Sequence, residues 1–392
     1  MPAALTPQTA PALLSPSARV LLASARPDSH AGGELPWAEV HWPTLVSLMA
    51  YERAEPQVYR LMLAAPYGVV PDDVLVAAQG LDRVARFRAA ELADAAASAC
   101  DVLHATGVPA LWLKGAALAM QSPAGFGVRN MGDLDLLIAI ADRARARQAL
   151  ERAGWASGLR AGYDAHHHEA PMTRPGGLRL ELHTALFPPG HPFADEPAAT
   201  WLARGQTVGW GDRPVLVLPR EWHVVHASAH WAWSHEGTVG TWQFLHDMHR
   251  LAEGWSADGQ EWQTVVRNAE RIGAGMPVGW ALWSAHRLGG LDLSESAVRR
   301  LRGSPGPLSS LAERQWVLAA FHSPVGSPSF RWSRFWWRRA MRGLGDEGGL
   351  WPWVAGRVAT LTPPLSTDPV QPGGVMLRFQ RWQRHLERLL RG

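Results

Sequence analysis

Between residues 109 and 140 two apolar runs flank a glycine-rich interval, and the rest of the chain is patterned around them. PALWLKG (109–115) predicts a buried strand ending in Lys114-Gly115, and AALAMQ predicts one or two helical turns. SPAGFGVRNMG then predicts a loop, and DLDLLIAI (133–140) a second strand. On either side the period changes to that of helices. From about 34 to 107 the pattern is helical and ends in a long Ala-rich run closed by Gly107-Val-Pro109. ADRARARQALERAGW predicts a helix after the second strand. Residues from about 163 to 186 predict a hairpin turning at Arg174-Pro175-Gly176-Gly177. Its second arm alternates: Leu178, Leu180 and Leu182 face one way, and Arg179, Glu181 and His183 the other. A further short hairpin is expected at 208–219, and helices broken by Gly and Pro follow to the C-terminus.

These elements predict an α+β fold: a small mixed sheet with flanking helices, and a largely helical C-terminal domain. The expected divisions are a disordered tail (1–33), a helical segment (34–107), a sheet-bearing core (108–219) and a helical domain (220–392). A length of 392 residues suits such a multi-part chain. No run approaches the ~20 apolar residues of a membrane-spanning helix. RVLLASA near the N-terminus lacks the basic flank of a signal peptide. Cys100 is the single cysteine, so no intrachain disulfide forms, and a cytoplasmic location is expected. A net charge of +3 is not the concentrated basic footprint of a nucleic-acid binder. Lys114 is the chain's one lysine; every other basic position is arginine or histidine.

The chemistry follows from Asp133-x-Asp135. Two acids one residue apart on a strand share a face, and holding them amid Leu and Ile is costly without a cation. Glu181 adds a third carboxylate on the polar face of another strand. Such acids suit Mg2+ (or Mn2+), which takes carboxylate, phosphate and water oxygens. Two ions roughly 3.5–4 Å apart neutralise a triphosphate and align an attacking hydroxyl. Gly115 lets the backbone approach phosphates at a helix N-terminus, and Lys114 is a point charge beside it. The bland alternative is a solvated strand end.

LKGAAL, followed by Arg129 with GDLDLLI and then by LELH, resembles the polymerase-beta-like nucleotidyltransferase superfamily. It is most similar to the bacterial family labelled uncharacterised nucleotidyltransferase, over approximately residues 40–255. The resemblance implies transfer of a nucleoside monophosphate from an NTP to an acceptor. It implies Asp133 and Asp135 as metal ligands, and Glu181 as third ligand or base. The triphosphate would be bound by Lys114, Gly115, Ala116 and Arg129. Ala116 departs from the Gly or Ser usual after the turn glycine, which leaves phosphate binding to backbone amides, Lys114 and Arg129. His183 and Asp247 would stand behind the catalytic groups. The acceptor is open: a small molecule, a peptide or a protein, with nucleic acid not favoured.

Two further clusters suggest rivals. His166, His167, His168 and His183, with His226 and His230 spaced i, i+4, suggest a zinc hydrolase, but no H-E-x-x-H accompanies them. Tryptophan, 21 residues in all, is concentrated after residue 200 and includes FRWSRFWWRRAMRGL. Such residues fill a helical core, or stack on RNA bases. A catalytically silent nucleotide-binding protein on the same fold is the remaining alternative.

Overall fold

The computed structural model describes residues 14–27, 35–158, 169–187, 193, 196–237, 239–302, 307–321 and 337. Helices α1 (Pro16–Ala23), α2 (Trp42–Tyr51), α3 (Glu55–Leu63) and α4 (Asp72–Ala105) precede the first strand. β1 (Ala110–Trp112), α5 (Lys114–Gln121), β2 (Leu134–Ile138) and α6 (Arg143–Arg152) follow. Next come β3 (Ala156–Ser157), β4 (Met172–Arg174), β5 (Leu178–His183), α7 (Ala198–Arg204), β6 (Gln206–Trp210) and β7 (Arg213–Val217). The chain then runs through α8 (Arg220–Ala229), α9 (Thr241–Leu251), α10 (Gln260–Arg271), α11 (Gly275–Arg287), α12 (Glu295–Arg302) and α13 (Pro307–Phe321).

The long α4 ends where its sequence says it should. Gly107, at φ +63°, takes the left-handed position after the helix. Its N–H reaches His104 O, and Val108 N–H reaches Leu103 O at 2.9 Å, which satisfies the last carbonyls. The chain then enters a mixed seven-stranded sheet of order β3-β4-β5-β2-β1-β7-β6. β2 runs antiparallel to β1 and parallel to β5, and β7 lies parallel to the other side of β1. The hairpin of β6 and β7 therefore extends the sheet through β1.

Side-chain alternation divides the core in two. Leu134, Leu136 and Ile138 of β2 join Leu180 and Leu182 of β5, with Leu92, Ala95, Ala99 and Leu103 of α4, beneath the sheet. Leu137 and Leu111 point to the other face, into a core that α1 to α3 share with α8 to α13. Asp133 and Asp135 have the parity of Leu137, so they open toward the helical side.

One expectation needs correction. The loose tail expected over 1–33 does not hold for residues 14–27. α1 is capped by Ser15, whose hydroxyl accepts from Ala18 N–H. Its Val20 and Leu21 are fully buried, supplying apolar surface to the helical core. The first arm of the expected 163–186 hairpin is described only from residue 169, so His166, His167 and His168 lie outside the described residues. Most of the Trp- and Arg-rich stretch 330–344 lies outside them too. Its Trp337 is buried and donates from Nε1 to Ala232 O at 2.8 Å, a core role.

Candidate active site

A cavity of about 500 Å³ lies where the helical side of β2 and β5 meets α9 and the end of α8. Asp133, Asp135, Glu181 and His183 line it from the sheet, with Lys114 and Gly115 at the turn into α5. Arg129, His230, His235 and Asp247 are among the residues of its other walls.

The acidic centre is set by strand register. β2 and β5 are parallel with Asp135 beside Glu181 and Leu137 beside His183. Ligand atoms of Asp135, Glu181 and His183 all lie within 4.8 Å of one another. Asp133 stands just before β2 on the same face and lines the cavity, but it is not a member of that group. Of the ligands expected from sequence, Asp135 and Glu181 fall in this tight group with His183 beside them, and Asp133 lines the same cavity next to it.

Asp135 is only 4% exposed and receives two donors on one oxygen. Lys114 Nζ lies 2.8 Å and His183 Nε2 2.9 Å from Oδ1. No donor among the described residues reaches its Oδ2. Burial alone would raise the Asp135 pKa, but Lys114 and His183 outweigh it and hold the carboxyl well below its usual range. For Lys114 burial opposes the charge, yet Asp135, Asp133 and Glu181 keep the ammonium protonated beyond its ordinary range. Asp133 is pushed up, first by burial and then by the charge on Asp135. Glu181 pairs with Arg179 at 3.1 Å, and His183 Nε2 is 3.9 Å from its Oε2.

This donor set fits a divalent cation. It offers the free oxygen of a buried, ionised aspartate, a neighbouring glutamate and a further aspartate. His183 serves by holding Asp135, as neighbours that fix a ligating carboxylate do in metal sites.

Three residues expected on the triphosphate are engaged otherwise. Lys114 sits on Asp135. Arg129 forms a two-pronged ion pair with Asp247 of α9, Nε to Oδ1 at 2.7 Å and Nη2 to Oδ2 at 3.0 Å, and is buried. Its guanidinium passes over Gly115, where an added Cβ would come within 2.5 Å of Nη2. A side chain at this position would have to push the guanidinium aside. Ala116 does not line the cavity, because its methyl belongs to the core beneath the sheet. Gly115 and Asp247 both border the cavity.

The loop 122–132 that carries Arg129 is held from both sides. Gln57 Nε2 donates to Val128 O at 2.6 Å, Asn130 Nδ2 to Glu55 at 3.0 Å, and Gln243 Nε2 to Asn130 O at 2.7 Å. Glu52, at the end of α2, accepts from Trp242 N–H at the start of α9 at 2.9 Å. Burial raises its pKa to about 7 against the pull of the Trp242 and Thr241 amides.

Sequence reasoning missed Arg53. It follows α2 with φ +56° and lines the cavity, and its guanidinium lies where a Cβ on Gly132 would stand. The glycine before Asp-Leu-Asp was the one local sign of it. The role of His230 and His235 was also missed. After α8 the helix widens into a π-turn over His230–Ser234, with His235 N–H bonded to His230 O at 3.2 Å. Such turns recur at functional sites. This one sets the two rings 4.5 Å apart on the cavity wall. Burial and then Lys114 depress the His230 pKa far below normal, so the ring is neutral. His226 and His230 do share a helix face, with rings 6.0 Å apart. Among the described residues, however, the group with metal-ligand spacing is Asp135, Glu181 and His183, not the α8 histidines. No described helix is long and apolar enough to cross a membrane.

The model of a family described as uncharacterised nucleotidyltransferase matches residues 38–290, well over half of the chain, from α2 through α11. No curated protein matches, and no solved structure does.

Proposed function

Because the chain belongs to the uncharacterised nucleotidyltransferase family, we propose that it transfers a nucleoside monophosphate from an NTP to an acceptor, releasing pyrophosphate, in the cavity between β2, β5 and α9. The observation that carries this reading is the placement of Asp135 beside Glu181 in register, with Asp133 on the same face. A single strand supplies two acids, and the neighbouring parallel strand supplies the third.

Mg2+ or Mn2+ would be held by Asp135 Oδ2, Glu181 and Asp133, and when bound it neutralises the triphosphate as a Lewis acid. The chain's own groups do the rest. His183 and Lys114 fix the Asp135 carboxylate in one orientation and keep it ionised. Arg53 and Arg179, both on the cavity wall, supply positive charge for phosphate oxygens. Glu181 would accept the proton of the acceptor hydroxyl as the hydroxyl oxygen bonds to the α-phosphorus and pyrophosphate departs. Arg129, locked to Asp247, ties the phosphate turn to the helical wall, so that Gly115 and α9 are positioned together.

Ala116 lends no weight to a catalytically silent protein, since a hydroxyl at that position would face the core. The neutral, aromatic and amide groups opposite the acids, His230, Trp231, Gln243 and Phe244, form the wall against which the acceptor or base would rest. Trp231 and Phe244 stack at 4.4 Å and give that wall a rigid apolar face.

The test is to incubate the protein with each α-labelled NTP, Mg2+ and a cell extract. Label appearing on an acceptor with wild type and not with Asp135→Asn supports the reading and identifies the acceptor. Equal labelling by both proteins overturns it.

A further inference from the structure

Lys114 combines two features that oppose each other. Its φ is +51°, a left-handed conformation that glycine adopts freely and a lysine adopts at a cost of roughly 1–2 kcal/mol. Yet the position carries the chain's one lysine, in a sequence that uses arginine for all its other long basic side chains. The strain is explained by where the side chain ends. Its ammonium lies 2.8 Å from Asp135 Oδ1, in the middle of the acidic cluster. An ammonium is a compact charge with donors on all sides; the flat guanidinium fork is not interchangeable with it.

The second observation is the count of lone pairs on that oxygen. A carboxylate oxygen offers two. On Asp135 Oδ1 one is taken by Lys114 Nζ and the other by His183 Nε2 at 2.9 Å. Two ions held roughly 3.5–4 Å apart in this cluster would both have to draw on the Asp135 carboxylate. Here only Oδ2 remains for a metal.

From this arrangement we infer that the Lys114 ammonium is a built-in cation of the site and that the cluster takes one divalent ion per chain in place of two. The inference rests on the reading of this cavity as a metal-dependent nucleotidyltransferase centre. The metal sits on the Oδ2 side of Asp135 with Glu181 and Asp133. Lys114 provides the positive charge that a second ion would otherwise bring to Oδ1. Its left-handed backbone is what aims a side chain from the first residue of α5 back toward β2 rather than along the helix.

The test counts Mn2+ bound to the full chain by electron paramagnetic resonance of the free ion, with circular dichroism to verify folding. Wild type is expected to bind one Mn2+. Lys114→Gly removes the ammonium and relieves the strained φ, so it folds, and it is expected to bind two. Lys114→Met serves as a second variant without the charge and should also bind two. Asp135→Asn is expected to lose the ion. Two Mn2+ on wild type, or a single ion of unchanged affinity on both Lys114 variants, overturns the inference and leaves the proposed function standing. No Mn2+ on any of the proteins overturns both.

Discussion

Asp135 and His183 share a hydrogen bond of 2.9 Å although they sit on different strands and two residues apart in register. The imidazole reaches back along the parallel pair to fix the carboxylate that the rest of the site depends on. Removing it should leave the carboxylate in place but free to turn. His183→Ala is therefore expected to weaken Mn2+ binding about 10–100-fold, the usual effect of losing a group that orients a metal ligand. Isothermal titration of the purified variant measures this; an unchanged affinity would show that His183 is packing alone.

Arg129 and Asp247 tie the loop before β2, where it passes over Gly115, to α9. Both are buried, so truncating one strands the charge of the other. Either Arg129→Ala or Asp247→Ala should cost roughly 3–5 kcal/mol of stability. The pair Arg129→Met with Asp247→Leu should cost much less than the sum of the single changes, because no buried charge is left alone. Denaturant titrations of all three give the comparison. Additive losses would mean that the ion pair is not the coupling element.

Gly115→Ala probes the same contact from below. The new methyl meets the Arg129 guanidinium, with a Cβ within 2.5 Å of Nη2, so the arginine has to shift away from Asp247. A loss of about 1–3 kcal/mol is expected, as for other overpacked sites. It should be absent when Arg129→Met is already present. A full additional loss in that background would place the clash elsewhere.

Much of this was legible in the sequence, for local reasons. Alternation along β5 put Glu181 and His183 on one face and the three leucines on the other, and the structure buries Leu178, Leu180 and Leu182 as that pattern requires. The same period of two aimed Asp133 and Asp135 together. What stayed hidden depends on groups meeting across the fold. Nothing near Arg53 announces that it will cover Gly132, and nothing near Arg129 names Asp247 as its partner. The Ala- and Pro-rich N-terminus resembles a tail in composition, but α1 packs against α2 and, across the chain, against α9. Lys114 looked like a phosphate ligand because its nearest neighbour in sequence is the turn glycine; its nearest neighbour in space is Asp135.

Glu52 predicts a pH dependence with a definite sign. Its folded pKa is raised from 4.5 to about 7, so the folded state holds a proton that the unfolded chain releases earlier. The associated stability is complete below pH 4.5 and is lost as pH rises through about 7. Glu52→Gln keeps an oxygen for the Trp242 amide and removes the titration. Relative to wild type, this variant should gain stability as pH rises from 5 to 8, by on the order of 2–3 kcal/mol. Thermal melts across that range test it, and a constant difference between the two proteins would contradict it.

The central claim is that the acids of β2 and β5 move a nucleotidyl group rather than a terminal phosphoryl group. Parallel reactions with α-labelled and γ-labelled NTP, in the presence of Mg2+ and the acceptor found in extract, separate the two directly. The α-label should join the acceptor and the γ-label should leave as pyrophosphate, and both signals should fall to background with Asp135→Asn. Label from the γ position on the acceptor, or transfer undiminished in Asp135→Asn, would contradict it.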